Sequence, residues 1–270
     1  MTNDPAPQKA SPKIDTTVPN SARVWNYWLG GKDNYEVDRA AAEEYVKTFP
    51  GIVDIARTSR YFMTRAVRFL AGAQGVRQFL DVGTGLPTVD NTHEVAQRVA
   101  PGARVVYVDN DALVLAHARA LLTSSSDGGT DYIDADLHDP AKVLAAAAET
   151  LDLTRPVALM LIQVLGHIAD DDEAESVVRG LLAGLAPGSY LVISDGVDVA
   201  SEQLASALRN YNDSGAAAYR LRFPDQIARF FDGLELAEPG VVRVSHWRPE
   251  VEPLGPPADV ETLGAVGRKP

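Results

Sequence analysis

Three acidic residues each end a short apolar run, and two closely spaced glycines follow the first of them. Asp81 ends the run in FLDVGTG, Asp109 ends RVVYVD, and Asp136 ends TDYIDAD. Glycines at 83 and 85 let backbone N–H groups approach a ligand that any Cβ would keep away. An acid about 20 residues after such glycines is placed to bind both hydroxyls of an adenosine ribose. Asp109 has this spacing, so the pattern predicts an adenosine pocket, with Asp136 near the adenine amino group.

The loop after Gly85 differs from loops that hold a pyrophosphate. The dinucleotide fingerprint G-x-G-x-x-G requires glycine at position 88, where this chain has Thr88, and Pro87 removes an N–H from the anion-binding turn. A cofactor without phosphate, S-adenosylmethionine, suits the loop better. Asp81 would attract its ammonium or hold the loop, and the glycine N–H groups would take its carboxylate. An adenosine-dinucleotide oxidoreductase is the disfavoured alternative.

These acids and glycines need a scaffold that brings several strand ends together. Apolar runs alternate with helical patterns after residue 76, in QFLDV, RVVYVD, TDYIDAD, PVALMLIQVL and SYLVISD. The alternation predicts an α/β fold with an open parallel sheet, in which ligands bind outside the carboxyl ends of the strands. Three helical patterns precede the first run. LELAEPGVVRVSHW predicts a hairpin joined at Pro239-Gly240, which would add an antiparallel edge.

Several longer motifs resemble known enzymes. DVGTG, YVDND, DADL and LAPGSYLVISD are similar, in this order, to the motifs of class I S-adenosylmethionine-dependent methyltransferases. SARVWNYWLGGKDNYEVDRAAAE, DVGTGLPTVDNTHEVAQ and ARFFDGLELAEPGVV resemble more narrowly an actinobacterial S-adenosyl methyltransferase family long catalogued as of unknown function. The likeness runs from about Asn20 to Arg248.

The resemblance implies an S-adenosylmethionine-dependent methyltransferase with a Rossmann-like, seven-stranded, mostly parallel sheet whose C-terminal strand is antiparallel. It implies that the cofactor binds around Asp81, Gly83, Thr84, Gly85, Asp109, Asn110, Asp136 and Leu137. The alternative is a protein that binds S-adenosylmethionine or S-adenosylhomocysteine without transferring a methyl group.

The chain divides into four predicted parts: a disordered tail (1–19), an N-terminal helical lid (20–75), the methyltransferase domain (76–250) and a C-terminal tail (251–270). Within the domain, residues 196–223 are predicted to shape the acceptor site. The stretch WNYWLGGKDNY has two interpretations: a helix packed on the core with a glycine cap, or a lid over the methionine end of the cofactor. The resemblance favours the lid, in which Tyr27, Lys32 and Asn34 contact the cofactor.

His167 follows the fourth apolar run and is the first candidate for a general base, because a histidine there can take a proton from an oxygen or nitrogen acceptor. Tyr27 and Asp195 are the next candidates. A structural role for His167, capping or packing at the strand end, is an equally strong interpretation. Gln163 is predicted to contact the cofactor from within the fourth strand.

Two charge clusters have simpler interpretations. Arginines at 57, 60, 65 and 68 lie on one side of a predicted helix, which is typical of a solvated face, although some of them could bind an acidic acceptor. Three consecutive acids, Asp170 to Asp172, precede a predicted helix and complement its dipole. We therefore predict no metal site.

The composition excludes several classes of function. The net charge of −12 argues against general binding to nucleic acid, which requires an excess of Lys and Arg, and favours a small-molecule acceptor. The chain has no cysteine, so disulfides and thiolate chemistry are absent. There is no apolar stretch of about 18 residues and no signal-peptide pattern, which predicts a cytoplasmic protein without membrane contact.

Overall fold

The computed structural model describes residues 15–121, 127–249 and 259–270. Residues 1–14 of the predicted N-terminal tail and 251–258 of the predicted C-terminal tail lie outside these ranges. Residues 15–19 are held against the first helix, since the carbonyl groups of Asp15 and Val18 accept hydrogen bonds from the Arg23 guanidinium at 2.9 and 2.7 Å.

Three helices precede the first strand, as predicted. The helices are α1 Ser21–Trp28, α2 Glu36–Thr48, α3 Ile52–Arg68, α4 Thr92–Val99, α5 Ala112–Leu121, α6 Pro140–Ala147, α7 Asp171–Ala183, α8 Glu202–Asn212 and α9 Pro224–Arg229. A π-helical turn, Phe69–Ala73, extends α3, and 3₁₀ turns cover Leu165–His167 and Val244–His246.

The strands form one sheet. They are β1 Gln78–Val82, β2 Arg104–Asp109, β3 Gly129–Asp134, β4 Ala158–Ile162, β5 Tyr190–Gly196, β6 Glu235–Leu236, β7 Val242–Arg243 and β8 Thr262–Arg268. Their order across the sheet is β3-β2-β1-β4-β5-β8-β6, with β7 also paired to β8. The first five strands are parallel, and β8 runs antiparallel to β5. The predicted Rossmann-like, mostly parallel sheet with an antiparallel C-terminal strand is confirmed.

The predicted hairpin at Pro239-Gly240 is wrong. Strands β6 and β7 do not pair with each other but lie one after the other along the free edge of β8, each antiparallel to it. The prediction of a tail over 251–270 is also wrong for β8. This strand reads TLGAVGR, and its glycines weaken the apolar signal, yet a Cβ at Gly264 would lie 2.8 Å from the Ile193 carbonyl oxygen. Close packing against β5 therefore requires the residue that made the strand hard to recognise.

The sheet is covered on both faces, and alternate residues of each strand belong to different cores. Phe79 of β1 packs with residues of α1 to α4, whereas Leu80 and Val82 pack with residues of α6 and α7. Helices α1 and α7 begin at side-chain caps. The Asn20 side chain accepts a hydrogen bond from the Arg23 N–H of α1, and Asp170 accepts one from the Glu173 N–H of α7. In the part of the chain that the structure describes, no helix is long and apolar enough to cross a membrane.

Candidate functional site

A cavity of about 740 Å³ lies at the carboxyl ends of β1 to β4. Its walls come from the loops after these strands and from α1, α3 and α8. Most of the residues predicted to bind a cofactor, together with one predicted base, line it: Asp81, Gly83, Thr84, Gly85, Asp109, Asn110, Asp136, Leu137, Gln163 and His167. The sheet thus brings together residues that lie up to 86 positions apart in the chain.

The glycine loop is fastened to its neighbours by its own amides. The Gly83 N–H donates to the Val108 carbonyl oxygen at 2.8 Å, and the Gly85 N–H donates to Asp109 Oδ2 at 3.0 Å. Gly83 has φ of +73°, and a Cβ there would lie 2.3 Å from Cγ2 of Val164. Both glycine amides are bonded within the protein in this structure, and that they take a ligand carboxylate stays a prediction. Their role is to hold the loop against β2 and β4.

Asp109 organises the loop after β2. Its second oxygen accepts a hydrogen bond from the Asp111 N–H at 2.9 Å. The Asp111 carboxylate in turn accepts a hydrogen bond from the Asn20 side-chain amide, and Asn20 also caps α1. Burial raises the pKa of Asp109, and hydrogen bonds from the backbone of Asp111 and Gly85 oppose this rise. One chain of contacts therefore connects the first helix to the ends of β1 and β2.

A buried carboxylate, Asp81, and a half-buried guanidinium, Arg60, lie beside this loop. Asp81 Oδ2 accepts a hydrogen bond from the Thr92 hydroxyl at 2.6 Å, and burial raises the pKa of Asp81 to about 6. Arg60 lowers that pKa by its positive charge. The Arg60 Nη2 donates to carbonyl oxygens of the loop before α4, but its buried Nε has no hydrogen-bond partner among the described residues. Both groups have bonding capacity left for a ligand with opposite charges at its two ends.

The start of α4 is closed by its own side chains. The Thr88 N–H donates to Asn91 Oδ1 at 3.0 Å, and the Asn91 N–H donates to Glu94 Oε2 at 2.8 Å. The second bond is part of the capping box between Asn91 and Glu94, and both bonds occupy amides that a pyrophosphate would need. At the end of β3, Asp136 accepts hydrogen bonds from the backbone and ring of His138, which lower the pKa of Asp136. It is therefore an ionised acceptor at the cavity wall.

His167 lies in the 3₁₀ turn after β4. Its Nδ1 is 2.9 Å from the Ala218 carbonyl oxygen. A carbonyl only accepts, so Nδ1 carries the proton of the neutral ring and Nε2 carries the lone pair. Burial lowers the pKa of His167 below its ordinary value, which keeps the ring neutral at pH 7.

Gln163 connects the sheet to α3 and to the segment after α8. Its amide nitrogen donates to the Ser59 hydroxyl at 3.0 Å, and its amide oxygen accepts a hydrogen bond from the Tyr219 hydroxyl at 3.2 Å. The single Tyr219 hydroxyl proton is shared between Gln163 and Asp195, which is fully buried and lies 3.7 Å from Arg222 Nη1. Asp195 therefore reaches the cavity only through Tyr219, which lines it.

The other predicted site residues lie outside the cavity wall. The Tyr27 hydroxyl donates to Glu43 of α2 at 2.9 Å, because this side of α1 faces away from the strand ends. The Asn34 amide donates to the Asn26 side chain and to the Gly31 carbonyl, so it stabilises the turn after α1. Lys32 is exposed. The structure does not bring these three residues to the strand-end acids.

Sequence reasoning missed the wall residues Ser59 and Asn20, and it named Arg60 only as one of four arginines that could bind an acidic acceptor. The solvated face predicted for α3 is wrong at Arg60 and at Arg65, whose Nε donates to the Trp247 carbonyl oxygen at 2.9 Å. Helical periodicity shows which residues share one face of α3, but it does not show which parts of the protein pack against that face. Asp111 could have been found, since it lies two residues after Asp109. In the described ranges, no group of three or more His, Asp or Glu is placed to hold a metal ion.

Comparison with known proteins identifies the family. A model described as S-adenosyl methyltransferase matches residues 7–270. The chain belongs to the S-adenosyl methyltransferase family. The enzyme is thus a methyltransferase that depends on S-adenosylmethionine, as the sequence motifs implied, and the cofactor prediction is confirmed. Curated proteins give no match.

Solved structures agree with this assignment. A DUF574 family protein from Streptomyces avermitilis is 44% identical, with a TM-score of 0.90 over 96% of this chain and 100% of that chain. A putative methyltransferase from Thermobifida fusca is 42% identical, with a TM-score of 0.86 over 94% and 96% of the two chains. The N-methyltransferase NodS from Bradyrhizobium japonicum, in complex with S-adenosylhomocysteine, is 16% identical, with a TM-score of 0.50 over 93% and 99%, and shares only the fold.

The donors and acceptors of the cavity fit the cofactor of the family. Asp81 and Asp109 are buried carboxylates that gain stability from a cation or from hydroxyl donors. Arg60 Nε is a buried donor that lacks an acceptor. S-adenosylmethionine carries an ammonium, a carboxylate and two ribose hydroxyls, so each of these groups has a counterpart in the cavity wall.

Proposed function

We propose that the enzyme transfers the methyl group of S-adenosylmethionine to a small-molecule acceptor by in-line displacement at the methyl carbon. The observation that carries this proposal is that one cavity joins the strand-end acids to His167 and to a helical cover. S-adenosylmethionine supplies an electrophilic methyl group on a cationic sulfur. The acceptor lone pair forms the new bond to carbon as the carbon–sulfur bond breaks, and the sulfur leaves as a neutral thioether.

The residues around the glycine loop would bind the cofactor at both ends. Asp109 would accept hydrogen bonds from the ribose hydroxyls, and Asp136 would meet the adenine. Asp81 would pair with the ammonium. Because the amides of Gly83 and Gly85 are bonded within the protein, Arg60 replaces them in our proposal as the group that takes the carboxylate. An arginine offers its fixed fork of N–H donors to a carboxylate.

His167 is the proposed base for an oxygen or nitrogen acceptor. Its Nδ1–H is held by the Ala218 carbonyl, which leaves the Nε2 lone pair for the acceptor proton. Asp195 acts in this proposal as a positioning residue, since it holds the Tyr219 hydroxyl at the cavity wall. Tyr27 lies on α1 and its hydroxyl bonds to Glu43 of α2, outside the cavity wall, which removes it from our set of candidate bases.

Positioning supplies most of the acceleration in this proposal. Well-oriented reactants reach effective molarities of about 10⁵ M or more. Helix α1 contributes wall residues to the cavity, and Asn20 fastens the start of α1 to Asp111. A lid that excludes water at this position would protect the transfer of a cationic methyl group.

Transfer is tested with radiolabelled S-adenosylmethionine and a broad panel of small acceptors that carry hydroxyl, amine or activated carbon groups. We expect label in at least one acceptor and competition by sinefungin. Tight binding of S-adenosylhomocysteine without transfer to any acceptor would support instead a protein that only binds the cofactor. Binding of NAD with similar affinity would contradict the assignment of the pocket.

A further inference from the structure

A second part of the cavity wall differs in chemistry from the strand ends. It is formed by α1, α2, α3 and α8, and we call it the aromatic wall, comprising Trp25, Trp28, Tyr45, Ile55, Leu208 and Tyr211. Its rings pack edge to face, with centroids 5.2 Å apart for Trp28 and Tyr45 and 6.0 Å apart for Tyr45 and Tyr211. Such packing holds a fixed apolar surface at the cavity.

Two hydroxyl groups of the aromatic wall have no hydrogen-bond partner among the residues that the structure describes. Tyr45 and Tyr211 are only 5% and 8% exposed. Burial raises the pKa of both phenols, and within the described residues no hydrogen bond to either hydroxyl accompanies that shift. Both hydroxyls are therefore protonated at neutral pH. Neither hydroxyl oxygen is itself fully buried, and both tyrosines line the cavity, so both hydroxyls open into it and can bond a ligand there.

The other polar groups nearby are already occupied. The Trp28 Nε1–H donates to the Ala42 carbonyl at 3.2 Å, and the Tyr219 hydroxyl donates to Asp195. Arg23, the cation of α1, is 2% exposed and pairs with Asp38 at 2.9 Å. The aromatic wall itself carries no charge. A charged group placed against it would lose its hydration without gaining an ion pair, which is costly.

We infer that the aromatic wall binds the methyl acceptor. This acceptor is a flat, uncharged aromatic molecule, and its polar substituent forms hydrogen bonds with the Tyr45 and Tyr211 hydroxyls. The inference rests on the proposed function, because it assigns this wall to the acceptor of the methyl transfer. The ring body of the ligand packs on Trp25 and Trp28, and the two phenols fix its orientation. The same chemistry argues against an anionic acceptor at this wall.

The experiment uses 2-naphthol as a neutral probe and 2-naphthoate as its charged counterpart. Both are titrated by calorimetry into the full chain saturated with S-adenosylhomocysteine. The variants are Tyr45→Phe and Tyr211→Phe, which keep the rings and remove the hydroxyls. Tyr132→Phe is the matched control, because this hydroxyl likewise has no partner among the described residues but is buried on β3, outside the cavity wall. Thermal unfolding confirms that each variant is folded.

We expect 2-naphthol to bind the wild type, and each cavity variant to bind it about fivefold more weakly, as expected for one net hydrogen bond. Tyr132→Phe should bind like the wild type, and 2-naphthoate should bind at least about tenfold more weakly than 2-naphthol. Equal affinities of both cavity variants and the wild type, tighter binding of 2-naphthoate, or no binding of 2-naphthol would overturn the inference.

A separate titration with S-adenosylhomocysteine distinguishes the two proposals. If it binds and 2-naphthol does not, only the aromatic wall is misassigned; if it does not bind, the proposed function fails.

Discussion

The two parts of the cavity wall recognise ligands in different ways. At the strand ends, the carboxylates already accept hydrogen bonds from the protein, Asp109 from the Gly85 amide and Asp81 from the Thr92 hydroxyl. At the aromatic wall, Tyr45 and Tyr211 leave their hydroxyls unbonded. The polar part is thus preorganised for one ligand with fixed charges, since polar groups set in advance need little reorganisation on binding. The aromatic part offers apolar surface area and two hydroxyl donors, which suits a site that selects its ligand mainly by shape.

The largest effect is expected from the polar part. Asp109→Ala removes the acceptor of both the Gly85 and Asp111 amides as well as the proposed ribose ligand. We expect the affinity for S-adenosylhomocysteine, measured by calorimetry, to fall about 100-fold, because hydrogen bonds to charged groups are worth about 1.5–3 kcal/mol each. Asp134→Ala is the control, since this exposed carboxylate ends β3 but does not line the cavity. Unchanged binding by Asp109→Ala would show that the pocket is misplaced.

Arg60→Met should produce the next largest change. It removes the guanidinium proposed to hold the cofactor carboxylate, so affinity for S-adenosylhomocysteine should fall about 20-fold. 5′-Methylthioadenosine, which has no carboxylate, should bind the variant and the wild type alike. Arg57→Met, one turn earlier on the exposed side of α3, should change neither affinity. A similar loss for both ligands would indicate that Arg60 only supports the fold.

The affinity for S-adenosylhomocysteine should depend on pH. Burial raises the pKa of Asp81 to about 6. The ammonium of the ligand favours the ionised form, so protonation competes with binding, and affinity should fall about tenfold from pH 7 to pH 5. The Asp81→Asn variant should bind S-adenosylhomocysteine more weakly at pH 7, and its affinity should depend less steeply on pH. Methylthioadenosine, which lacks the ammonium, isolates the contribution of Asp109, whose pKa burial also raises. Identical pH dependences for the variant and the wild type would remove Asp81 from the site.

Tyr27→Phe should have the smallest effect. Its hydroxyl contacts Glu43 on α2 and does not line the cavity. Calorimetry should give affinities for S-adenosylhomocysteine within about twofold of the wild type, because partly exposed pairs contribute little. A loss comparable to that of Arg60→Met would restore Tyr27 to the site and would mean that α1 closes further over the bound cofactor.

The sequence predicted the polar part of the wall better than the aromatic part. Asp81, Asp109 and Asp136 are recognisable because parallel strands bring their carboxyl ends to one edge, so residues far apart in the chain become neighbours by topology alone. Tyr45 and Tyr211 belong to helices α2 and α8, and all five parallel strands lie between these helices in the sequence. Their meeting depends on how α2 packs against α8, which no local pattern records.

The errors in the fold have a similar cause. Strand β8 carries glycines because it lies close to β5, and this requirement hid its apolar pattern. The hairpin was predicted because Pro239-Gly240 is a strong turn signal, but the signal marks the break between β6 and β7 on the edge of β8. The turn at Pro239-Gly240 is predicted correctly from its residues, but the pairing partners of β6 and β7 are not. Pairing partners depend on long-range packing.

A crystal structure of the enzyme with S-adenosylhomocysteine tests the central claim most directly. We predict the ribose hydroxyls on Asp109, the adenine beside Asp136, the amino acid end between Asp81 and Arg60, and the sulfur directed toward the aromatic wall. Density for the adenosine against Trp28, Tyr45 and Tyr211, with the glycine loop free of ligand, would contradict the division of the cavity into a cofactor part and an acceptor part.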